Sequence, residues 1–261
     1  PRRAMVTAPT FSEYGQALRA AGAEVMSHRL RKEDGFDLTE DILRPIGHDL
    51  DMLFLCTPNN PTGRTIPPAL LEAVARRCGE MGVRLVVDEC FLELTDGAQG
   101  LAGRLEEFPT LILLRAFTKS YAIPGLRLGY CLTADRALLE RMEACAPAWA
   151  VSVPAQAAGL AALEQPGWPE QARAVIAPAR ERLFAELRGL GLEVWPGQAN
   201  YLLFRAAGQC DLKERMAARG ILLRSCANYD GLGPDYYRAA VRLPEENEQL
   251  ISTLRAVLAE N

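Results

Sequence analysis

The chain has 261 residues, of which 49% are hydrophobic and 24% charged, and its net charge is −4. This composition excludes a disordered chain and gives no basic face for nucleic acid or another polyanion. No apolar run approaches the roughly 18 residues that cross a bilayer, so no membrane-spanning helix is expected.

In chain order, Met5–Ala8 ends a short apolar run. Phe11–Ala21 places Tyr14, Ala17, Leu18 and Ala21 on one face and stops at Gly22, which predicts a helix. Asp51–Cys56 and Arg84–Asp88 are continuous apolar runs, as expected of strands covered on both faces. Between them lie a turn-rich segment, Thr57–Gly63, and a helix, Pro68–Met81, with Leu71, Val74, Ala75 and Cys78 as its stripe. Leu111–Leu114 and Leu126–Leu132 read as further strands. From Pro154 to Gly191 the pattern is helical: Ala155–Glu164, then Ala172–Gly189 with Val175, Leu183 and Leu187 on its buried side.

Beyond that come strands at Glu193–Trp195, Tyr201–Phe204, Ile221–Arg224 and Tyr237–Arg242, a helix at Leu212–Arg219, and a last helix after Pro244. Its first turn carries Glu245, Glu246 and Glu248, acids that suit a helix N-terminus. The rhythm predicts an α/β fold: a mostly parallel, doubly wound sheet with a smaller C-terminal α+β domain. The expected division is residues 1–168 and 169–261.

Seven cysteines, an odd number without C-x-x-C spacing, speak against a disulfide framework or zinc knuckle and for a reducing cytoplasm. They read as small core residues. His28 and His48 are the only histidines, read as loop or surface residues, so no metal site is expected. Serine-hydrolase, P-loop and dinucleotide fingerprints are absent.

Polar residues gather instead at strand ends. Asn60 follows the Asp51–Cys56 strand, Asp88 closes the next, and Lys119 follows Leu111–Leu114, eight residues before Arg127. Ligands of open α/β sheets bind at the carboxyl ends of strands. A buried lysine there becomes a nucleophile through a lowered pKa, and a buried aspartate can hold a pyridine nitrogen protonated. Each residue also has a plainer reading, as solvated lysine, turn former, cap or core.

Four motifs in order tip the balance. They are Asn59-Asn60-Pro61-Thr62-Gly63, Val86-Val87-Asp88-Glu89, the string Thr118–Gly129, and Tyr236-Tyr237-Arg238-Ala239-Ala240-Val241-Arg242. Together they resemble the fold-type I pyridoxal-phosphate enzymes of the class I/II aminotransferase superfamily, over essentially the whole chain. Within it, Phe91, the Thr118–Gly129 string and Val241–Asn247 look most like the threonine-phosphate decarboxylases of cobalamin biosynthesis. Histidinol-phosphate aminotransferases are the cousins.

The resemblance implies pyridoxal 5'-phosphate as cofactor. Lys119 would bind it covalently, Asp88 would face its pyridine nitrogen, and Asn60 would donate to its phenolic oxygen. Phe11 would stack on the ring, with Thr118 and Arg127 on the phosphate. Arg238 would grip the substrate carboxylate bidentately, a task suited to arginine. Arg224 is a candidate for the substrate carboxylate or phosphate. Most relatives carry tyrosine at Phe91, whose hydroxyl also reaches the phenolic oxygen, and many carry serine or threonine at Ala116.

The same resemblance implies a homodimer and a small phosphorylated amino-acid or amine substrate. A decarboxylase must set the Cα–carboxylate bond perpendicular to the cofactor ring, and an aminotransferase the Cα–H bond. A non-catalytic, aminotransferase-like ligand-binding domain is the reading from another class. Family members run to about 350 residues, so an N-terminal portion holding a phosphate-binding turn is expected before Pro1.

Overall fold

A computed structural model describes residues 1–97 and 99–260. Six strands build the first sheet: β1 (Arg3–Ala8), β2 (Glu24–Arg29), β3 (Met52–Cys56), β4 (Arg84–Asp88), β5 (Leu111–Ala116) and β6 (Gly129–Leu132). Their spatial order is β2-β1-β3-β4-β5-β6. All neighbours run parallel except β6, which is antiparallel to β5. The fold is thus mixed α/β with a mostly parallel main sheet.

The sheet is covered on both faces. Ala4 and Val6 of β1 pack with Tyr14 and Leu18 of α1 (Ser12–Ala20), while Met5 joins the opposite core with α2 (Pro68–Met81). Alternate side chains of one strand therefore serve two helical layers. α2 starts with Pro at its first turn and ends at Gly82 with φ +72°, the left-handed position that glycine adopts without strain. It buries Leu70, Leu71, Val74, Ala75 and Cys78, and each large apolar side chain contributes about 2 kcal/mol.

After β5 the chain makes a short helix, α3 (Phe117–Ser120), and crosses back through β6. α4 (Arg136–Cys145) and α5 (Val153–Leu163) follow, then α6 (Trp168–Gly189), whose Pro178 removes an internal N–H donor. The second sheet, in the order β7-β8-β10-β9, is antiparallel. Its strands are β7 (Glu193–Val194), β8 (Tyr201–Arg205), β9 (Arg224–Ser225) and β10 (Tyr236–Ala240). Leu183 and Leu187 of α6, with α7 (Leu212–Ala217) and α8 (Pro244–Leu258), close a core on this sheet. Trp195, Leu203, Cys226 and Tyr229 belong to the main core, so the two sheets share packing.

Several sequence expectations shift. The strand expected from Leu126 begins at Gly129, because Pro124–Leu126 forms a 3-10 turn and Arg127 takes φ +56°. The strand expected over Ile221–Arg224 is confined to β9. β2 and α4 were not foreseen: β2 is a half-exposed edge strand of mixed polarity, and α4 buries no residue. Val175 is exposed rather than buried, since the groove between α6 and α8 stays open there. Cys145 and Cys210 are exposed, not core. His28 lies on β2 against Asp41 at 3.5 Å, where burial lowers its pKa.

Candidate active site

The parallel strands end on one edge, and the segments that leave them carry the polar residues. Asp88 is the last residue of β4. Its Oδ2 accepts a hydrogen bond from the Tyr14 hydroxyl, and its Oδ1 accepts from the Cys90 N–H at 2.9 Å. Tyr14 is buried. Burial first, then the nearby Cys56 and Asp88, holds its phenol pKa well above the usual value. The phenol therefore stays protonated and donates, which leaves Asp88 in the acceptor role. Burial and Asp88 likewise push up the thiols of Cys56 and Cys90, so neither is a ready thiolate.

The turn Asn59–Gly63 is anchored from several sides. Asn59 donates to Pro9 O at 2.9 Å and to Thr62 Oγ1 at 3.0 Å, and accepts from Thr10 Oγ1 at 2.7 Å. From the second sheet, the Tyr201 hydroxyl donates to Asn59 O at 3.0 Å, and Gln198 N donates to Gly63 O at 2.7 Å. Gly63 has φ +71°, and a Cβ there would lie 2.9 Å from Gly197 Cα, so backbone meets backbone at that point. This anchoring fixes Asn60. Its Oδ1 accepts from Arg238 Nη1 at 2.5 Å and from the Tyr229 hydroxyl at 3.0 Å. Arg238 stacks over the Tyr201 ring, 4.7 Å from its centroid.

Lys119 lies in α3, and its Nζ is 5.6 Å from the Phe91 ring centroid. It is exposed, against the expectation of a buried lysine, because the β6 side of the site is open. The sequence has three lysines. Lys32 pairs with Glu193 and Lys213 with Glu214, whereas Lys119 has no ion pair among the described residues. Phe11 caps α1, half-exposed, and meets the Tyr14 ring edge-on at 5.5 Å. Phe91 packs edge-on against Tyr201 at 5.1 Å. Arg127 bonds Pro124 O at 2.9 Å.

One cavity of about 610 Å³ is lined by all eight residues singled out from the sequence: Phe11, Asn60, Asp88, Thr118, Lys119, Arg127, Arg224 and Arg238. That volume lies within the range of small-molecule sites, roughly 300–1,000 Å³. A second hollow of about 490 Å³ shares Phe91, Lys119, Arg224 and Arg238 and extends toward α8.

Sequence reasoning missed the residues behind these. Periodicity places Tyr14 only in a core stripe, although its i+3 spacing from Phe11 is visible in the sequence. Tyr201 and Tyr229 had no local signal. The half-buried Arg115 pairs at 2.7 Å with the buried Glu89, immediately beyond Asp88, and burial raises the Glu89 pKa while Arg115 opposes it.

Comparison with known proteins agrees with this geometry. The family model for aminotransferase class I and II matches residues 2–254. A threonine-phosphate decarboxylase of Salmonella typhimurium is 44% identical over 99% of this chain and 71% of its own length. A histidinol-phosphate aminotransferase of Methanopyrus kandleri is 31% identical over 97% of this chain, which spans 65% of that relative. The crystal structure of the histidinol-phosphate aminotransferase from Clostridium acetobutylicum superposes on the whole chain, with a TM-score of 0.93 over 79% of its own length. At 24% identity that likeness bears on the fold. Motif order, strand-end cavity and family match converge, and the chain belongs to the class I and II aminotransferase family of enzymes.

Proposed function

We propose that the protein decarboxylates L-threonine O-3-phosphate to 1-aminopropan-2-ol phosphate, with pyridoxal 5'-phosphate as cofactor, in cobalamin biosynthesis. The observation that carries this reading is the 44% identity to a threonine-phosphate decarboxylase over nearly the full chain. The donor set fits the cofactor. A carboxylate held as acceptor, an amide, an aromatic face and a primary amine with no ion pair among the described residues border one cavity.

Pyridoxal phosphate, when bound, supplies an aldehyde carbon that condenses with amines and a ring that accepts electrons. Lys119 Nζ would hold the cofactor and move a proton at the substrate Cα. Asp88 would keep a proton on the pyridine nitrogen, and Phe11 would cover the ring. Asn60 would donate to the phenolic oxygen. Thr118 and Arg127 would bind the cofactor phosphate. Arg238 would orient the substrate carboxylate, and Arg224 would meet the substrate phosphate. The bond that breaks is set by the angle at which Arg238 holds that carboxylate.

The histidinol-phosphate aminotransferase reading is favoured by relatives at 31–33% identity. A two-substrate assay separates the readings. Carbon dioxide released from L-threonine O-3-phosphate is the expected result. Amino transfer from histidinol phosphate to 2-oxoglutarate, without gas, would transfer the assignment to the aminotransferases.

A homodimer in the cytoplasm goes with this reading. Trp149, Val153, Leu160 and Leu163 are 96, 77, 68 and 63% exposed, an apolar surface suited to a second copy. Sedimentation at twice the chain mass is expected, and a stable single-chain mass would remove the dimer.

A further inference from the structure

We propose that Tyr229 is a positioning residue that locks the Asn60 amide with its Nδ2 aimed into the cofactor cavity. The inference rests on the cofactor site proposed above. Arginine has only donors, so the atom facing Arg238 Nη1 at 2.5 Å must be the Asn60 oxygen. The Tyr229 hydroxyl lies 3.0 Å from the same oxygen and therefore donates to it. Both lone pairs of Oδ1 are then used. The Nδ2 group has no protein partner among the described residues and borders the cavity.

The two donors are not equivalent. Arg238 is half-buried at the wall shared by the two hollows, where a substrate carboxylate would compete for its guanidinium. Tyr229 is 4% exposed, belongs to the main core, and sits in a turn closed by Tyr229 N to Cys226 O at 3.0 Å and Leu232 N to Tyr229 O at 3.1 Å. It therefore holds Asn60 whether or not Arg238 is engaged. It also lies beneath Arg224, whose guanidinium is 5.9 Å from its ring centroid. Phe91 offers no hydroxyl to the phenolic oxygen, so the orientation of Asn60 carries more of that task in this chain.

The test uses the full chain with Tyr229→Phe, Asn60→Ala and the double variant. Asn60 donation to the phenolic oxygen favours its anion, so losing the lock should raise the pH midpoint of the bound cofactor's visible absorption. The expected rise for Tyr229→Phe is roughly half to one unit, the size of one hydrogen bond. Asn60→Ala should shift the midpoint further, and the double variant should match Asn60→Ala. A Tyr229→Phe midpoint equal to wild type, or a double variant whose shifts add, overturns the proposal. So does an Asn60→Ala midpoint that does not move.

A second readout stands apart from the cofactor. In apoprotein labelled with ¹⁵N-asparagine, Tyr229→Phe should move and broaden the Asn60 side-chain NH₂ signals. Unchanged signals overturn the lock. A wild-type protein without any cofactor band would refute the cofactor site itself, and the NH₂ signals would still decide the lock.

Discussion

The strand-end site has a closed side and an open side. On the closed side, β1, β3 and β4 lie between two helical layers, and Asp88 and Asn60 are each held by at least two named hydrogen bonds. On the open side, β6, α4 and α5 bury little: α4 buries nothing and α5 only Ala155 and Gly159. Lys119 and Arg127, which come from that side, make no ion pair among the described residues. One wall of the site is therefore pre-organised by the fold, while the other is held by few buried contacts. Pre-organised groups are the ones that cost nothing to align at the moment of reaction.

The largest expected effect is on the open side. Lys119→Ala should lower turnover by about a thousandfold or more and remove the visible cofactor band, as measured by gas release and absorbance. Retained turnover would mean that the open wall is not the reacting one.

The next effect contrasts the two sides through stability. Leu71→Ala, in the closed core, should cost about 3 kcal/mol in urea unfolding. Leu160→Ala, on the open face, should change stability by less than about 0.5 kcal/mol in the single chain. Equal losses would erase the distinction.

Smaller still, Arg224→Lys should raise KM for the phosphorylated substrate about tenfold with little change in kcat, since lysine keeps the charge and loses the bidentate fork. An unchanged KM would remove Arg224 from the substrate site.

The smallest effect is at the surface of α2. Arg104 and Arg76 hold the Glu72 carboxyl down to about 2 from 4.5. A lowered folded-state pKa gives stability that is present above 4.5 and lost as the pH falls through about 2. Glu72→Gln should flatten the stability curve in that window. These side chains are a third or more exposed, so solvent screening keeps the effect small.

Much of this was legible in the sequence, for a physical reason. α2 and β4 follow their expected bounds because Pro68, Gly82 and an unbroken apolar run mark them locally. β2 and α4 were not legible because neither buries a clean face, so neither carries a period. Six of the eight cavity-lining candidates, Asn60, Asp88, Thr118, Lys119, Arg127 and Arg238, were legible because they lie in contiguous motifs, whereas Phe11 and Arg224 lie outside those motifs. Tyr14, Tyr201 and Tyr229 were not, since each acts on a partner far away in the chain: Tyr229 reaches Asn60 across 169 positions. Hydrophobic patterning records burial but not which hydroxyl will find which amide. The open face was hidden for the same reason, because nothing in the local pattern says that Trp149, Leu160 and Leu163 stay exposed.

In the proposed function, Lys119 is the residue that takes the cofactor. Three lysines make it directly testable. The protein is incubated with pyridoxal phosphate, the covalent link is fixed by borohydride, and the labelled peptide is read by mass spectrometry. Stoichiometric label on Lys119 alone is expected. Label on Lys32 or Lys213, or none, would contradict it.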